Sequence, residues 1–254
     1  MPLASAGLGS RRVSFSKIIY LERPQIATFQ SITCEKRMSD LRTGRRKYYD
    51  IFSHVYDKFI QMHSRRDEKD TRDVLVEMAD LGETPNPYIL DICCGTGSVI
   101  LAFANHYPTS LTVGYDFSRG MLLKTREKPG AQKVILIEGD AISLPFTDES
   151  FDLITCSHAL YELKGQTRQN ALREMKRVIR SAGVLLIMEH EVPQRPLIKF
   201  LFNLRMAAMG SADAREFVSS GLAPFTKIFP HVSLAHSPSG KSKLIMCRKQ
   251  LVKS

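Results

Sequence analysis

At 254 residues, with 43% hydrophobic and 24% charged side chains and a mean hydropathy of −0.15, the chain has the composition of one large α/β domain that buries a core without metal or disulfide support. Its 36 Lys and Arg against 26 Asp and Glu leave a formal charge of +10, which admits nucleic acid or an anionic surface as a partner. No apolar run reaches the roughly 18 residues that cross a bilayer, and the scattered Cys34, Cys93, Cys94, Cys156 and Cys247 form no C-x-x-C pair, which points to reduced thiols in a cytoplasmic setting.

Residues 1–37 hold six bases and two acids, so four of the ten surplus charges lie there. The segment is Ser- and Arg-rich without helical periodicity. It reads as a disordered extension, as a transit-like leader that would imply a mitochondrial address, or as sequence upstream of a start at Met38. A single domain is expected over 39–254. Tyr48, Tyr49, Ile51, Phe52, Val55, Tyr56, Phe59 and Ile60 recur at helical spacing, and Val74, Leu75, Met78 and Leu81 follow in a second helix behind the acidic turn Asp67 to Asp70. Pro85-Asn86-Pro87 turns the chain into a buried strand, Tyr88 to Ile92. Further strands are expected at Leu111 to Tyr115, Val134 to Glu138, Phe151 to Cys156 and Val184 to Glu189, separated by helices beginning near Gly97, Ser118 and Thr167. This alternation predicts β-α-β units on a parallel sheet. Cap helices follow near 196–219, then a hairpin of strands near Lys227 to Leu234 and Lys243 to Arg248.

Between the first strand and its helix lies Asp91-Ile92-Cys93-Cys94-Gly95-Thr96-Gly97-Ser98, whose glycines let backbone pass close to a ligand. A nicotinamide fingerprint needs a third glycine where Ile100 stands, which argues against an oxidoreductase. Asp91, Asp116 and Asp140 sit at or just beyond three successive strand ends, the ligand edge of an open α/β sheet. A carboxylate after the second strand suits a ribose diol, and several acids tolerate a cationic cofactor but not a pyrophosphate. Each aspartate singly also reads as a turn or capping residue.

In order, Ile89 to Gly97, Gly114 to Leu122, Gly139 to Phe146, Phe151 to Thr155 and Arg173 to Gly183 resemble the motifs of class I S-adenosylmethionine-dependent methyltransferases, most closely the ubiquinone/menaquinone-biosynthesis type. The resemblance implies a Rossmann-like α/β fold, a mainly parallel seven-stranded sheet with helices on both faces and a C-terminal antiparallel hairpin. It further implies that Gly95 and Gly97 pass under the methionine moiety, Asp91 orders its amino group, Asp116 holds the ribose, Met121 packs on adenine, and Asp140 with the Ala141 amide reads the adenine edge. Cys93 and Ser157 complete the cofactor-facing set, and Tyr49 and Tyr56 match a helix that closes over it; both also read as aromatic knobs of an amphipathic helix.

A base is needed only if the acceptor must lose a proton. His158 is the candidate, among Ser157, Tyr161, Glu162, Glu189, His190 and Glu191 after the fourth and fifth strands. The quinone-type Gly-Leu-Arg-Asn is replaced here by Ala159-Leu160-Tyr161-Glu162. The expected acceptor is a small lipophilic or aromatic molecule, quinone-precursor-like or lipid, with no metal and with peripheral membrane contact through the apolar stretch from Leu197 to Met209. RNA- or protein-directed methylation is the alternative, but the Asn/Asp-Pro-Pro-Tyr/Phe of base-amine enzymes is absent after the fourth strand.

Overall fold

The computed structural model describes residues 45–51, 53, 67–82, 84–208 and 212–250. The expected extension over 1–38 and the aromatic positions of 54–60, Tyr56 included, lie outside them. In chain order the elements are α1 (residues 45–51), α2 (Asp67–Ala79), β1 (Tyr88–Ile92), α3 (Ser98–His106), β2 (Leu111–Asp116), α4 (Arg119–Arg126), β3 (Val134–Glu138), β4 (Phe151–Ser157), α5 (Gly165–Val178), β5 (Ile179–His190), α6 (Pro196–Ala208), α7 (Ala212–Ser219), α8 (Ala223–Thr226), β6 (His231–His236) and β7 (Ser242–Arg248).

Strands such as Ile89-Leu90-Asp91-Ile92 are buried on both faces, so helices must cover the sheet on both sides. They do so over seven strands in the order β3-β2-β1-β4-β5-β7-β6. The first five are parallel neighbours, while β7 runs antiparallel to both β5 and β6. One face buries Leu90, Ile92, Ile154, Leu172, Met175, Phe217 and Phe225, and the other Leu75, Ile89, Ile100, Phe103, Leu186 and Leu244.

Two strands begin more than one residue away from their expected starts. β5 begins at Ile179 rather than Val184, because α5 runs straight into it and Ile179 pairs with Phe151 before a register shift. Gly183 sits at that irregularity, where an added Cβ would come 2.9 Å from the Asp152 carbonyl. The hairpin's first strand begins at His231 rather than Lys227. Phe225 and Phe229, both buried, continue the turn of α8, with the Phe229 amide donating to the Phe225 carbonyl at 2.8 Å. The apolar residues that suggested a strand there are used by a helical turn.

Candidate active site

The loop after β1 reverses on backbone that few residues tolerate: Cys93, Gly95 and Gly97 have φ of 57°, 53° and 76°. The Gly97 carbonyl accepts the Leu101 amide at 3.0 Å, starting α3. Thr125 of α4, fully buried, donates its hydroxyl to the Gly95 carbonyl at 2.9 Å and fixes the loop from the side. Nothing lies within 4 Å of where a Cβ on Gly95 would stand, whereas one on Gly97 would meet Thr125 Cγ2 at 2.3 Å. Gly95 thus faces open space, and Gly97 faces its own fold.

Asp116, at the end of β2, is the hub of this loop. One carboxylate oxygen accepts the Gly95 amide at 2.9 Å and the other the Ser118 amide at 2.8 Å. Asp91 is 1% exposed on the adjoining strand and accepts the Thr155 hydroxyl at 2.7 Å. Ser157 lies two residues beyond Thr155, on the same face of β4, and its buried hydroxyl has no hydrogen-bond partner. Asp140 follows β3 and accepts the Ile142 amide at 3.2 Å. Met121, within α4, and Ala141, three residues after β3, are buried. The predicted set therefore gathers along the carboxyl ends of β1, β2, β3 and β4, apart from Tyr56, which lies outside the described residues.

Over this edge lies α1, held by contacts that sequence reasoning did not find. Asp50 accepts the Ser118 hydroxyl at 2.6 Å and the Gly120 amide at 2.9 Å. Tyr49 donates its hydroxyl to Glu162, Arg45 pairs with Glu162 at 3.0 Å, and Arg46 pairs with Glu138. An added Cβ at Gly120 would come 2.8 Å from both the Cα and the carbonyl of Asp50, so the glycine permits the two helices to touch. The partners are separated by 68 to 117 residues, so no local spacing announced them.

At the ends of β4 and β5 the rings of His158 and His190 lie 4.4 Å apart, Tyr161 lies 5.2 Å from His190, and Phe202 of α6 lies 6.2 Å from it. The His158 amide donates to the Met188 carbonyl at 2.7 Å on left-handed backbone, φ 48°. Beneath them Glu189, 1% exposed, accepts the Leu160 amide at 2.9 Å through one oxygen, while its other oxygen is buried without a hydrogen-bond partner. Arg168 braces this corner: it donates to the Leu160 carbonyl at 2.8 Å, pairs with Asp213 of α7 and stacks over Phe217 at 4.0 Å. Cys156 is fully buried in β4, with its thiol held well above the ordinary range by a hydrogen bond with Cys93 and by burial, which makes it a core residue and no nucleophile. Among the described residues no group of three His, Cys, Asp or Glu is placed to hold a metal ion.

This strand order, with one antiparallel hairpin and a glycine loop between acidic strand ends, defines the Rossmann-like methyltransferase class. A methyltransferase-domain family model matches residues 89–183. The demethylmenaquinone methyltransferase of Staphylococcus aureus is 32% identical over 172 residues, which span 66% of this chain and 70% of that protein. Among solved structures, a SAM-dependent methyltransferase from Aquifex aeolicus superposes with a TM-score of 0.56 at 16% identity, covering 75% of this chain and 95% of its own. An O-methyltransferase-like structure from Nostoc punctiforme gives 0.59 at 19% identity, covering 78% of this chain and 59% of its own; these two likenesses show the fold. The chain belongs to the class I S-adenosylmethionine-dependent methyltransferases, in the sequence group of the menaquinone type.

The residues present fit that donor: the open face at Gly95 admits a ligand against the loop, and the orphaned Ser157 hydroxyl supplies an unused hydrogen-bonding group. Burial pushes Asp91 up to about 7, opposed by its bond from Thr155, and pushes Asp116 up to about 6, opposed by the Ser118 and Gly95 amides. Both folded values exceed the ordinary 3.8, so the folded chain retains protons that the unfolded chain releases. The stability these groups contribute is complete below about pH 4 and is lost as pH rises through about 6 to 7. A cationic ligand favours the ionised carboxylates. S-adenosylmethionine affinity is therefore expected to rise over that interval with release of protons, measured by calorimetry in buffers of different ionisation enthalpy. Affinity independent of pH would contradict it.

Proposed function

We infer that this methyltransferase acts on a small lipophilic aromatic acceptor of the quinone-precursor kind. The observation that carries the reading is the ring cluster of His158, His190, Tyr161 and Phe202, which stands beside Ser157 at the strand ends where the acceptor of an α/β enzyme lies. An aromatic ring packs well among such neighbours. The name of the Staphylococcus aureus relative supports the same class of acceptor.

In the proposed site Asp116 holds the ribose diol while its remaining lone pairs keep the Gly95 and Ser118 amides in place. Asp91, aligned by Thr155, faces the donor's amino group, with Cys93 and Ser157 beside it. Asp140, the Ala141 amide and Met121 frame the adenine. Tyr49 and its helix α1 close the edge against water. When bound, S-adenosylmethionine supplies an electrophilic methyl group whose leaving group is a neutral thioether. No acid is then required, and the chain contributes by alignment and exclusion of solvent. His158 takes the proton from the acceptor's hydroxyl oxygen, raising electron density on the ring carbon that receives the methyl group; that carbon then sheds its own hydrogen as a proton and the hydroxyl is restored as the ring re-aromatises.

Turnover of radiolabelled donor with demethylmenaquinone and related ring precursors, each held in its hydroquinone form by dithionite, tests this reading. His158→Gln is expected to lower kcat by about 100-fold or more, the usual contribution of a positioned base, without changing donor affinity. No labelled product with any quinone precursor, or an unchanged kcat in the variant, would refute the corresponding part.

A further inference from the structure

The +10 charge is unevenly placed. Residues 38–190 hold twenty Lys and Arg against twenty-one Asp and Glu, whereas 191–250 hold nine against three. That basic part carries α6, and there the molecule leaves a run of large apolar side chains in water. Leu197, Phe200, Leu201 and Leu204 recur at i, i+3, i+4 and i+7 and are 70%, 64%, 53% and 58% exposed, with Ile198 beside them at 46%. Single exposed leucines are ordinary, but five large ones on one short helix form a patch. Arg195 and Lys199 border the stripe and are exposed. Behind it, Lys199 and Asn203 share a groove of about 480 Å³ with Arg215 of α7. The other side of the same helix presents Phe202 to His190.

We propose that α6 docks this enzyme on an anionic phospholipid bilayer, with its apolar stripe in the acyl boundary and Arg195, Lys199 and Arg215 at the headgroups. An amphipathic helix held in the interface needs apolar area and opposite charge together, and this corner of the molecule provides both. At 13 residues α6 has the length of an interfacial helix rather than of a spanning one, and among the described residues no helix is long and apolar enough to cross a membrane. Phe202, on the opposite side of the same helix, places the ring cluster behind the docked face, which shortens the route of a lipophilic acceptor from bilayer to site. This route rests on the lipophilic-acceptor reading, whereas the docking itself is measured without acceptor.

The test is flotation of the full chain with phosphatidylcholine vesicles containing phosphatidylglycerol and with vesicles of phosphatidylcholine alone. Partitioning at least about tenfold stronger onto the anionic vesicles is expected, weakening as salt is raised. The double variant Phe200→Glu, Leu201→Glu is expected to lose at least about tenfold of it while keeping its circular dichroism, Tm and donor affinity. Should that variant fold poorly, Arg195→Glu with Lys199→Glu keeps the apolar stripe and should lose only the preference for anionic lipid. Equal partitioning onto both vesicle types, or full binding by the variants, would overturn the proposal. So would self-association that the double variant abolishes without any vesicle binding, which would assign the face to a second copy. Vesicle binding without methylation of quinone precursors would instead sink the acceptor reading alone.

Discussion

Asp116→Ala is expected to weaken S-adenosylmethionine binding by at least about 100-fold while leaving the chain folded. In the proposed site two hydrogen bonds from the ribose diol to this carboxylate, at about 1.5–3 kcal/mol each, set the size of the loss. The same carboxylate anchors the glycine loop, so its removal also strands the Gly95 and Ser118 amides, at about 1–3 kcal/mol each. Against this stands relief of a buried charge: the rise from 3.8 to about 6 corresponds to about 3 kcal/mol at neutral pH. The two effects oppose each other, and Tm should move by only a few degrees. Titration calorimetry and thermal melts at pH 7 measure both quantities. Retained donor affinity would remove Asp116 from the site, and a collapse of the fold would show that its structural bonds outweigh its burial.

Gly97→Val, by contrast, damages the fold itself. Its φ of 76° is costly for any side chain with a Cβ, by about 1–2 kcal/mol and more for a branched one. The added carbon would also stand 2.3 Å from Thr125 Cγ2. Thr125 cannot swing aside, being fully buried and bonded to the Gly95 carbonyl, so an overpacking cost of about 1–3 kcal/mol is added. The expected Tm loss is about 10 °C, measured by differential scanning calorimetry, with donor binding lost as the start of α3 is displaced. Gly95→Ala is the companion: no atom lies within 4 Å of the new carbon, so its cost is confined to the φ of 53°, and the damage falls on ligand binding. Equal destabilisation by both substitutions would contradict this division between a fold glycine and a ligand glycine.

Much of this organisation is legible along the chain. Five apolar strands alternating with helices specify a parallel sheet, because β-branched and leucine-rich runs bury best under helices on both faces and parallel neighbours require a crossover between them. The ordering of Asp91, Gly95, Gly97, Asp116 and Asp140 at successive strand ends is a local property of each turn, so spacing alone places those residues on one edge. His158 and Ser157 follow from the same rule applied to β4. What spacing does not contain is the meeting of segments far apart: Asp50 on Ser118 and Gly120, Tyr49 and Arg45 on Glu162, Arg168 between Leu160 and Asp213. Nor does it separate Ile228-Phe229 as a strand from the same residues as a helical turn, since a short apolar pair fits either until its pocket is known.

The sequence by itself determined the α/β class, the crevice edge and its acids, because hydrophobic period, turn residues and strand-end position are properties of a few neighbouring residues. The tertiary structure decided which side chains work together: it divided Gly95 from Gly97 by what lies opposite each, tied α1 to α4 through a glycine contact, and brought two histidines, a tyrosine and a phenylalanine into one wall. It also left the apolar stripe of α6 exposed, which hydropathy alone reads equally well as core. Each of those outcomes depends on contacts between distant parts of the chain, whose geometry is fixed only when the sheet has ordered its strands and the helices have closed over it.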